Sequence, residues 1–406
     1  MSEADVNAAA PARPLRIAMV HYSDFAIDSR IQRQARALAE RGHEVHCVCL
    51  TAPERIVVGD GVIRLYSIGA RKLRGGVGDY LFGYSRFFIS AFRRLSALQR
   101  LHCLDVVEAH NMPNFLAFAA LVPKLRGARV VLDIHDTFPE LFETKFAKTS
   151  RSAVARAIRA EERASVAFAD RTIAVTEEAR RRVAGRCPRG NVDWVVMNSP
   201  DERVFGAARE PVMIPPQGPV RVVYHGGTAQ RFGVEALIGA FGPLARTAPE
   251  IRLDIYGAED DSQALAALAR ETAPDHVRVA PRPVPFEEIP AKLEGAHIGV
   301  VPTLDDAFTE LLLPVKLLEY VHLGIPVVTS RLPVIERYFS SAEVRFCAAG
   351  DADSIAEAIE DVRRHPEQAM DRARRASVRL QDIEWKGQRA AYIRRIEGLA
   401  AGRAVA

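Results

Sequence analysis

The sequence predicts an α/β protein of two doubly wound, Rossmann-like domains facing each other across a cleft. Three observations lead there. Strand-like and helix-like segments alternate along the chain, the strands are apolar throughout rather than at every second residue, and the pattern breaks at a proline-rich stretch and then restarts. Strands that are apolar on both faces belong to parallel sheets covered by helices on either side. At 406 residues the chain exceeds what a single core ordinarily serves.

Residues 1–14, "MSEADVNAAAPARP", read as a short disordered tail, without the charged-then-apolar order of a signal peptide. "LRIAMVHY" (Leu15 to Tyr22) is the first strand. Asp28 to Arg41 then places Ile31, Ala35, Leu38 and Ala39 on one helical face, and Gly42 ends the helix. "EVHCVCL" is the next strand, so strand, helix and strand make a parallel crossover unit. The rhythm continues through "DVVEAH", a helix from Pro113 to Leu125, "ARVVLDIH", a helix from Arg151 to Phe168, "RTIAV" and "WVVMN". "PVMIPPQGPV" (Pro211 to Val220) reads as the linker. The pattern restarts with "RVVYHG", a helix from Val234 to Arg246, "IRLDIYG", a helix from Gln263 to Thr272, "VRVAP", a helix from Phe286 to Glu294, "HIGVVP", "LLLPVKLLEYVHLG" and "PVVTS". The expected domains are residues 15–208 and 209–384, followed by a C-terminal helix over 385–406.

Composition excludes several classes. A net charge of +4 is small for this length and argues against a dedicated nucleic-acid binder. The five cysteines are scattered without a CxxC pair, which fits reduced thiols in a cytoplasmic protein rather than disulfides or a metal site. The longest apolar run, "FLAFAALV", is about half a membrane span.

In open α/β sheets ligands meet the carboxyl ends of the strands. "YHGGTAQRFG" (Tyr224 to Gly233) follows a strand and precedes a helix there. Gly226 and Gly227 fit a plain turn or close approach of the backbone to a phosphate, with Arg231 as a fixed cation suited to a diphosphate. In the helix expected from Pro314 to Leu323, Lys316 occupies the first turn, unfavourable for a cation by about 0.3–1 kcal/mol unless an anion lies nearby. Glu319, three residues on, fits either an ion pair with Lys316 on a solvated face or a carboxylate accepting ribose hydroxyls.

"LPVKLLEYVHLGIPVV" resembles the signature P-x-K-x-x-E-Y-x-x-x-G-x-P-V of retaining glycosyltransferases of the GT-B fold, glycosyltransferase family 4. "DSRIQRQARALAERGHEV", "VLDIHDTFPE", "ADRTIAVTEEAR", "VMNSPD", "YHGGTAQRFGVEALIGAF", "LDIYG" and "PFEEIPAKLEGAHIGVVP" agree with that family in order, over nearly the whole chain. The resemblance implies that Arg231 and Lys316 bind the diphosphate of a nucleotide sugar and Glu319 its ribose. It puts Gly226, Gly227 and Gly257 on the donor side, and implies a C-terminal helix that packs back on the first domain. It also places His135 beside the transferred sugar, against the alternative of a histidine that caps its own turn. The family has a glutamate eight positions before Glu319, where this chain has Leu311. Either the adjacent Glu310 replaces it or the backbone amides of Leu312 and Leu313 do. The family's glycine pair after the first strand is also absent, and Asp24, Asp28 and Arg30 stand there instead, on the acceptor side.

Residues 71–102 carry seven basic residues against one aspartate, interleaved with aromatics. A core helix with an arginine-rich outer face, a nucleic-acid strip and an anionic bilayer contact all fit this pattern. With the resemblance, peripheral contact with the inner face of the plasma membrane is the expectation, with no nucleic acid. "LDD" at 304–306 and "EDD" at 259–261 read as loop acids, and no metal or other cofactor is expected. The function expected is transfer from a UDP- or GDP-sugar to a glycan or polyprenyl-linked acceptor with retention, in bacterial surface polysaccharide synthesis. A nucleotide-sugar 2-epimerase and a non-catalytic nucleotide-sugar-binding subunit are the alternatives.

Overall fold

The computed structural model describes residues 13–51, 55–58, 61–69, 77–145, 153–257 and 262–402. It divides into two compact units, one formed by the chain up to Met197 together with Trp385 onward, the other by Asn198–Glu384.

The first unit holds β1 (Arg16–Val20), β2 (Glu44–Cys49), β3 (Arg55–Val58), β4 (Gly61–Ser67), β5 (Val106–His110), β6 (Arg129–Ile134), β7 (Arg171–Ala174) and β8 (Val192–Val195). Their order is β3-β4-β2-β1-β5-β6-β7-β8, with all pairs parallel except β3–β4. Because side chains alternate across a strand, β1 feeds two layers. Ala18 and Val20 pack with Phe87, Leu95 and Leu98 of the helix Val77–His102. Ile17 and Met19 pack on the other side with Ile31 and Leu38 of the helix Ser29–Glu40 and with Tyr392 and Ile396 of the C-terminal helix Trp385–Ala400.

The second unit is a sheet of β9 (Val220–Gly226), β10 (Ile251–Gly257), β11 (Val277–Val279), β12 (Ile298–Val301), β13 (Val327–Ser330) and β14 (Arg345–Cys347). It is ordered β11-β10-β9-β12-β13-β14, and its pairs are parallel. The helices Val234–Thr247, Ser262–Thr272 and Ala352–Arg364 cover one face through Leu237, Phe241, Leu265 and Ile359.

Several expectations need correction. The break between units falls after Met197, not at 208, and the proline-rich stretch lies inside the second unit. The reason is local: Arg209 N donates to His322 O at 2.9 Å, Val212 N to Gly324 O at 2.8 Å, and His322 Nε2 meets Gly206 O at 3.0 Å. Arg13, inside the expected tail, donates to the Asp105 carboxylate (3.1 Å from Nη1), while residues 1–12 lie outside the described residues. The helix expected over 113–125 is a 3-10 turn, Asn114–Ala120, running into a short α-helix, Leu121–Leu125. That over 286–294 is likewise a 3-10 turn, Phe286–Glu288, and a helix Ile289–Lys292. Of the basic strip, 71–76 and the second acidic triplet 259–261 lie outside the described residues.

Candidate active site

The carboxyl edge of the second sheet gathers most of the expected donor residues. β9 ends at Gly226, whose φ of +101° sets a turn that a β-carbon would strain. A β-carbon there would also lie 3.4 Å from both Cε and Nζ of Lys316, so the lysine lies directly against the glycine. Lys316 Nζ donates to Tyr224 Oη at 2.6 Å and lies 4.0 Å from the Tyr224 ring centroid and 4.9 Å from that of Phe232. Rings on two sides hold a cation by its attraction to their negative faces. Tyr224 Oη in turn donates to Gly227 O, and the Phe232 ring fills the space where a side chain on Gly227 would stand.

Arg231 lies in the 3-10 turn Gln230–Phe232, which leads into the helix Val234–Thr247. Its carbonyl accepts from Leu304 N at 2.8 Å, tying the loop after β9 to the loop after β12, and its guanidinium lies 5.3 Å from the Phe308 ring centroid. Arg231 therefore stands on the loop after β9 and Lys316 in the first turn of the helix Val315–His322, both where helix N-termini and backbone amides add positive potential.

The loop between β12 and the helix Val315–His322 is held by Asp306, whose Oδ1 accepts from Phe308 N and Thr309 N, both at 2.8 Å. This accounts for the acid at 306 as a turn-forming side chain. Leu311, at the place counted for the first family glutamate, is 3% exposed. Glu310 is half-buried beside it, with its N–H donating to Asp306 O at 3.0 Å. Among the described residues the amides of Leu312, Leu313 and Val315 donate to no protein acceptor, and Pro314 offers no side-chain cap. Glu319 is buried at 4% exposure, not on a solvated face, and its Oε2 meets His225 Nε2 at 2.7 Å. Gly257 ends β10, beside Gly226 in the register, with its carbonyl accepting from Val284 N at 3.1 Å.

In the first unit, a buried polar cluster forms where β1, β5 and β6 end. Arg30, expected on the acceptor side, is 5% exposed and is spent internally. It grips Asp133 in bidentate fashion at 2.9 and 2.8 Å and donates to Val196 O at 2.8 Å. Burial pushes the Asp133 carboxyl up, but Arg30 and His110 outweigh it and hold it well below the usual carboxylate range. Asp28 caps the helix Ser29–Glu40 through Ile31 N and accepts from Ser23 Oγ at 2.8 Å, and Asp24 accepts from Thr51 Oγ1. His135 is half-buried, with Nε2 against Asn111 O and its N–H on Asn111 Oδ1 at 3.0 Å. Its ring stacks 6.0 Å from His110. Ligand atoms of His110, Asp133 and His135 lie within 4.8 Å of one another, but Arg30 already supplies the cation that Asp133 takes, leaving a poor fit for a divalent ion.

Sequence reasoning missed His21, Glu108, His110 and Asp133 here, and Tyr224, His225, Phe232 and Tyr320 in the second unit. The usable signal was a polar residue inside an otherwise apolar strand, as at Glu108 in "DVVEAH" and His225 in "RVVYHG". A cavity of about 700 Å3 at the opposite, amino edge of the second sheet is lined by Arg221, Arg252, His276 and His297 and contains none of the expected residues.

Residues 28–199 match the family model described as Glycosyltransferase Family 4, and residues 219–365 the one described as Glycosyl transferases group 1. No curated protein matches the chain. Among solved structures, sucrose-phosphate synthase from Thermosynechococcus elongatus is similar at 17% identity and a TM-score of 0.76, covering 96% of this chain and 100% of that one. The α,α-trehalose 6-phosphate synthase from Burkholderia multivorans gives 14% identity, a TM-score of 0.68 and coverage of 97% and 99%. HepE from Anabaena, solved in complex with UDP-glucose, gives 12% identity, a TM-score of 0.65 and coverage of 96% and 100%. At these identities the solved structures speak for a shared fold.

Proposed function

The chain belongs to the family 4 and group 1 glycosyltransferases of GT-B fold, and on that premise we propose that it moves a sugar from a UDP- or GDP-sugar to a glycan or polyprenyl-linked acceptor with retention at the anomeric carbon. The observation that carries this reading is Lys316 laid against Gly226, just after Leu312, Leu313 and Val315, whose amides donate to no protein acceptor among the described residues. Two linked phosphates need several fixed donors, and Lys316, Arg231 and these amides supply them from one sheet edge. UDP-glucose bound to HepE is consistent with a donor of this class.

In the reaction the bond from the anomeric carbon to the β-phosphate oxygen breaks and a bond to the acceptor oxygen forms on the same face. The acceptor's proton passes to the departing phosphate oxygen, so no water-activating base is required. Lys316 and Arg231 stabilise the charge that grows on that phosphate, which is where preorganised donors lower the barrier. Glu319 receives the ribose, and Glu310 or the amides of Leu312 and Leu313 meet the sugar hydroxyls. Gly257 lines the donor side, and His135 the sugar and acceptor side with the capped loop of Asp24 and Asp28.

We also assign peripheral contact with an anionic membrane to the helix Val77–His102. Phe82 is 64% and Ile89 49% exposed, on the same stripe as the exposed Arg86, Arg93 and Arg100. No acidic residue occurs from 80 to 104. Surface polysaccharide synthesis at the cytoplasmic face fits these features. Among the described residues no helix is long and apolar enough to cross a membrane.

Purified protein is incubated with a panel of UDP- and GDP-sugars and candidate acceptors, and nucleotide release is followed by mass spectrometry. Acceptor-dependent release of one nucleotide, with an α-configured product from an α-configured donor, is expected. Isomerised sugar without acceptor would replace this reading with an epimerase, and donor binding without turnover with a binding subunit.

A further inference from the structure

Glu319 does not stand alone in the donor site. Its Oε2 lies 2.7 Å from Nε2 of His225, the penultimate residue of β9, which is 3% exposed. On the other side of the imidazole, Nδ1 lies 3.0 Å from Tyr320 Oη, and that hydroxyl also accepts the His225 backbone N–H at 3.1 Å. Tyr320 is fully buried, its ring edge-on to the imidazole at 5.0 Å. The nearest other acceptor for its proton, Val223 O, is at 3.4 Å.

Counting donors fixes the direction of the chain. The Tyr320 hydroxyl has one proton and gives it to Nδ1, at a shorter distance than the carbonyl. Nδ1 is then the acceptor nitrogen, so Nε2 carries the imidazole proton and donates it to Glu319. A carboxylate that spends Oε2 in this way keeps Oε1, to which no hydrogen bond runs among the described residues. Neither helix geometry nor the Lys316 site calls for a histidine on this strand, where its neighbours Val222 and Val223 are apolar.

We propose that His225 is a positioning residue for nucleotide recognition: through the Tyr320–His225–Glu319 chain it fixes the Glu319 carboxylate so that Oε1 alone is presented to the ribose hydroxyls. The inference rests on the reading of Glu319 as the ribose carboxylate. His225 itself touches no substrate. Losing its N–H leaves a buried carboxylate oxygen without a partner and frees the side chain to turn.

The test is calorimetric titration of the wild-type chain, Glu319→Gln, His225→Leu, the double variant and His225→Gln. The probes are UDP and GDP, followed by the 2′-deoxy and 3′-deoxy forms of whichever binds. His225→Leu is expected to weaken nucleotide binding about tenfold, as a lost charge-assisted hydrogen bond does. The double variant should be no weaker than Glu319→Gln, and the penalty for a deoxyribose, full in the wild type, should shrink in His225→Leu. His225→Gln, whose amide can still donate to the carboxylate, should recover most of the affinity. In turnover, KM for the donor should rise while kcat stays near wild type, a split that general loss of structure does not produce.

If Glu319→Gln binds as well as wild type, the ribose reading of the site falls and this inference with it. If Glu319→Gln is weak while His225→Leu binds normally with its full deoxyribose penalty, the inference alone falls. Should His225→Leu not fold, nitrogen-15 shifts of the wild-type histidines decide the matter. The Nε2–H tautomer at His225 is expected, and the Nδ1–H tautomer overturns the proposal.

Discussion

At Gly226 an added β-carbon would meet Lys316 Nζ at 3.4 Å on a backbone already at φ +101°. Gly226→Ala therefore strains the turn by about 1–3 kcal/mol and presses on the lysine. Steady-state kinetics should show kcat/KM reduced about tenfold or more, and Lys316→Ala reduced on the order of a hundredfold. A second residue-scale prediction concerns Glu108. Burial, reinforced by Asp133 and only partly offset by His110, Tyr392 and Arg30, pushes its carboxyl up from 4.5 to about 7. The folded chain then holds this proton through a pH range where the unfolded chain has lost it, so stability falls as pH rises from about 4.5 to about 7. Denaturant titrations across that range should show Glu108→Gln losing less stability than wild type. The reverse ordering would mean that Glu108 is ionised at little cost. Lys316 and Glu319 stand out in the sequence because their spacing matches the signature, and Arg231 because it follows a glycine turn after a strand. Tyr224 and His225 were not, since their value depends on which helix lies over β9.

Among the elements, the C-terminal helix Trp385–Ala400 belongs to the first unit, although the chain reaches it only after the second. Its buried residues are Tyr392, Ile393, Ile396 and Leu399, with Tyr392 Oη donating to Glu108 Oε2 at 2.5 Å. Ile396 is fully buried in the first unit's core, so Ile396→Ala should cost about 2–5 kcal/mol in a chemical denaturation of that unit. On the helix Val77–His102 the opposite is expected of the outward residues. Replacing Phe82 and Ile89 by serine should leave stability within about 0.5 kcal/mol. The same change should reduce sedimentation with vesicles containing phosphatidylglycerol, while binding to neutral phosphatidylcholine vesicles stays low throughout. Undiminished sedimentation would remove the membrane assignment. The strands most easily seen were the apolar runs of the sheet centres. β3 and β4 escaped notice because their antiparallel pair sits at the sheet edge, where Arg55 and Arg64 break the apolar pattern. The 3-10 turn at Asn114–Ala120 was also invisible, since its apolar residues mimic a regular helix.

For the molecule as a whole, the two-unit α/β plan could be read from the sequence because both sheets are parallel and both covered, which writes the same apolar rhythm twice. The boundary could not: a proline-rich segment looks like a linker until its backbone is seen bonded to His322 and Gly324. The residues proposed to bind the donor, from Gly226 to Glu319, all belong to the second unit, and so a nucleoside diphosphate should stabilise that unit. Ligand at a hundred times Kd contributes about 2.7 kcal/mol. The central claim is that Arg231 and Lys316 hold two linked phosphates at the carboxyl edge of this sheet. Titration calorimetry of UDP and GDP into the wild-type chain, Arg231→Ala and Lys316→Ala tests it most directly. One nucleotide should bind the wild type, and each alanine variant should bind it about tenfold or more weakly. Wild-type affinity in both variants, or no binding of either nucleotide to the wild type, would contradict the claim.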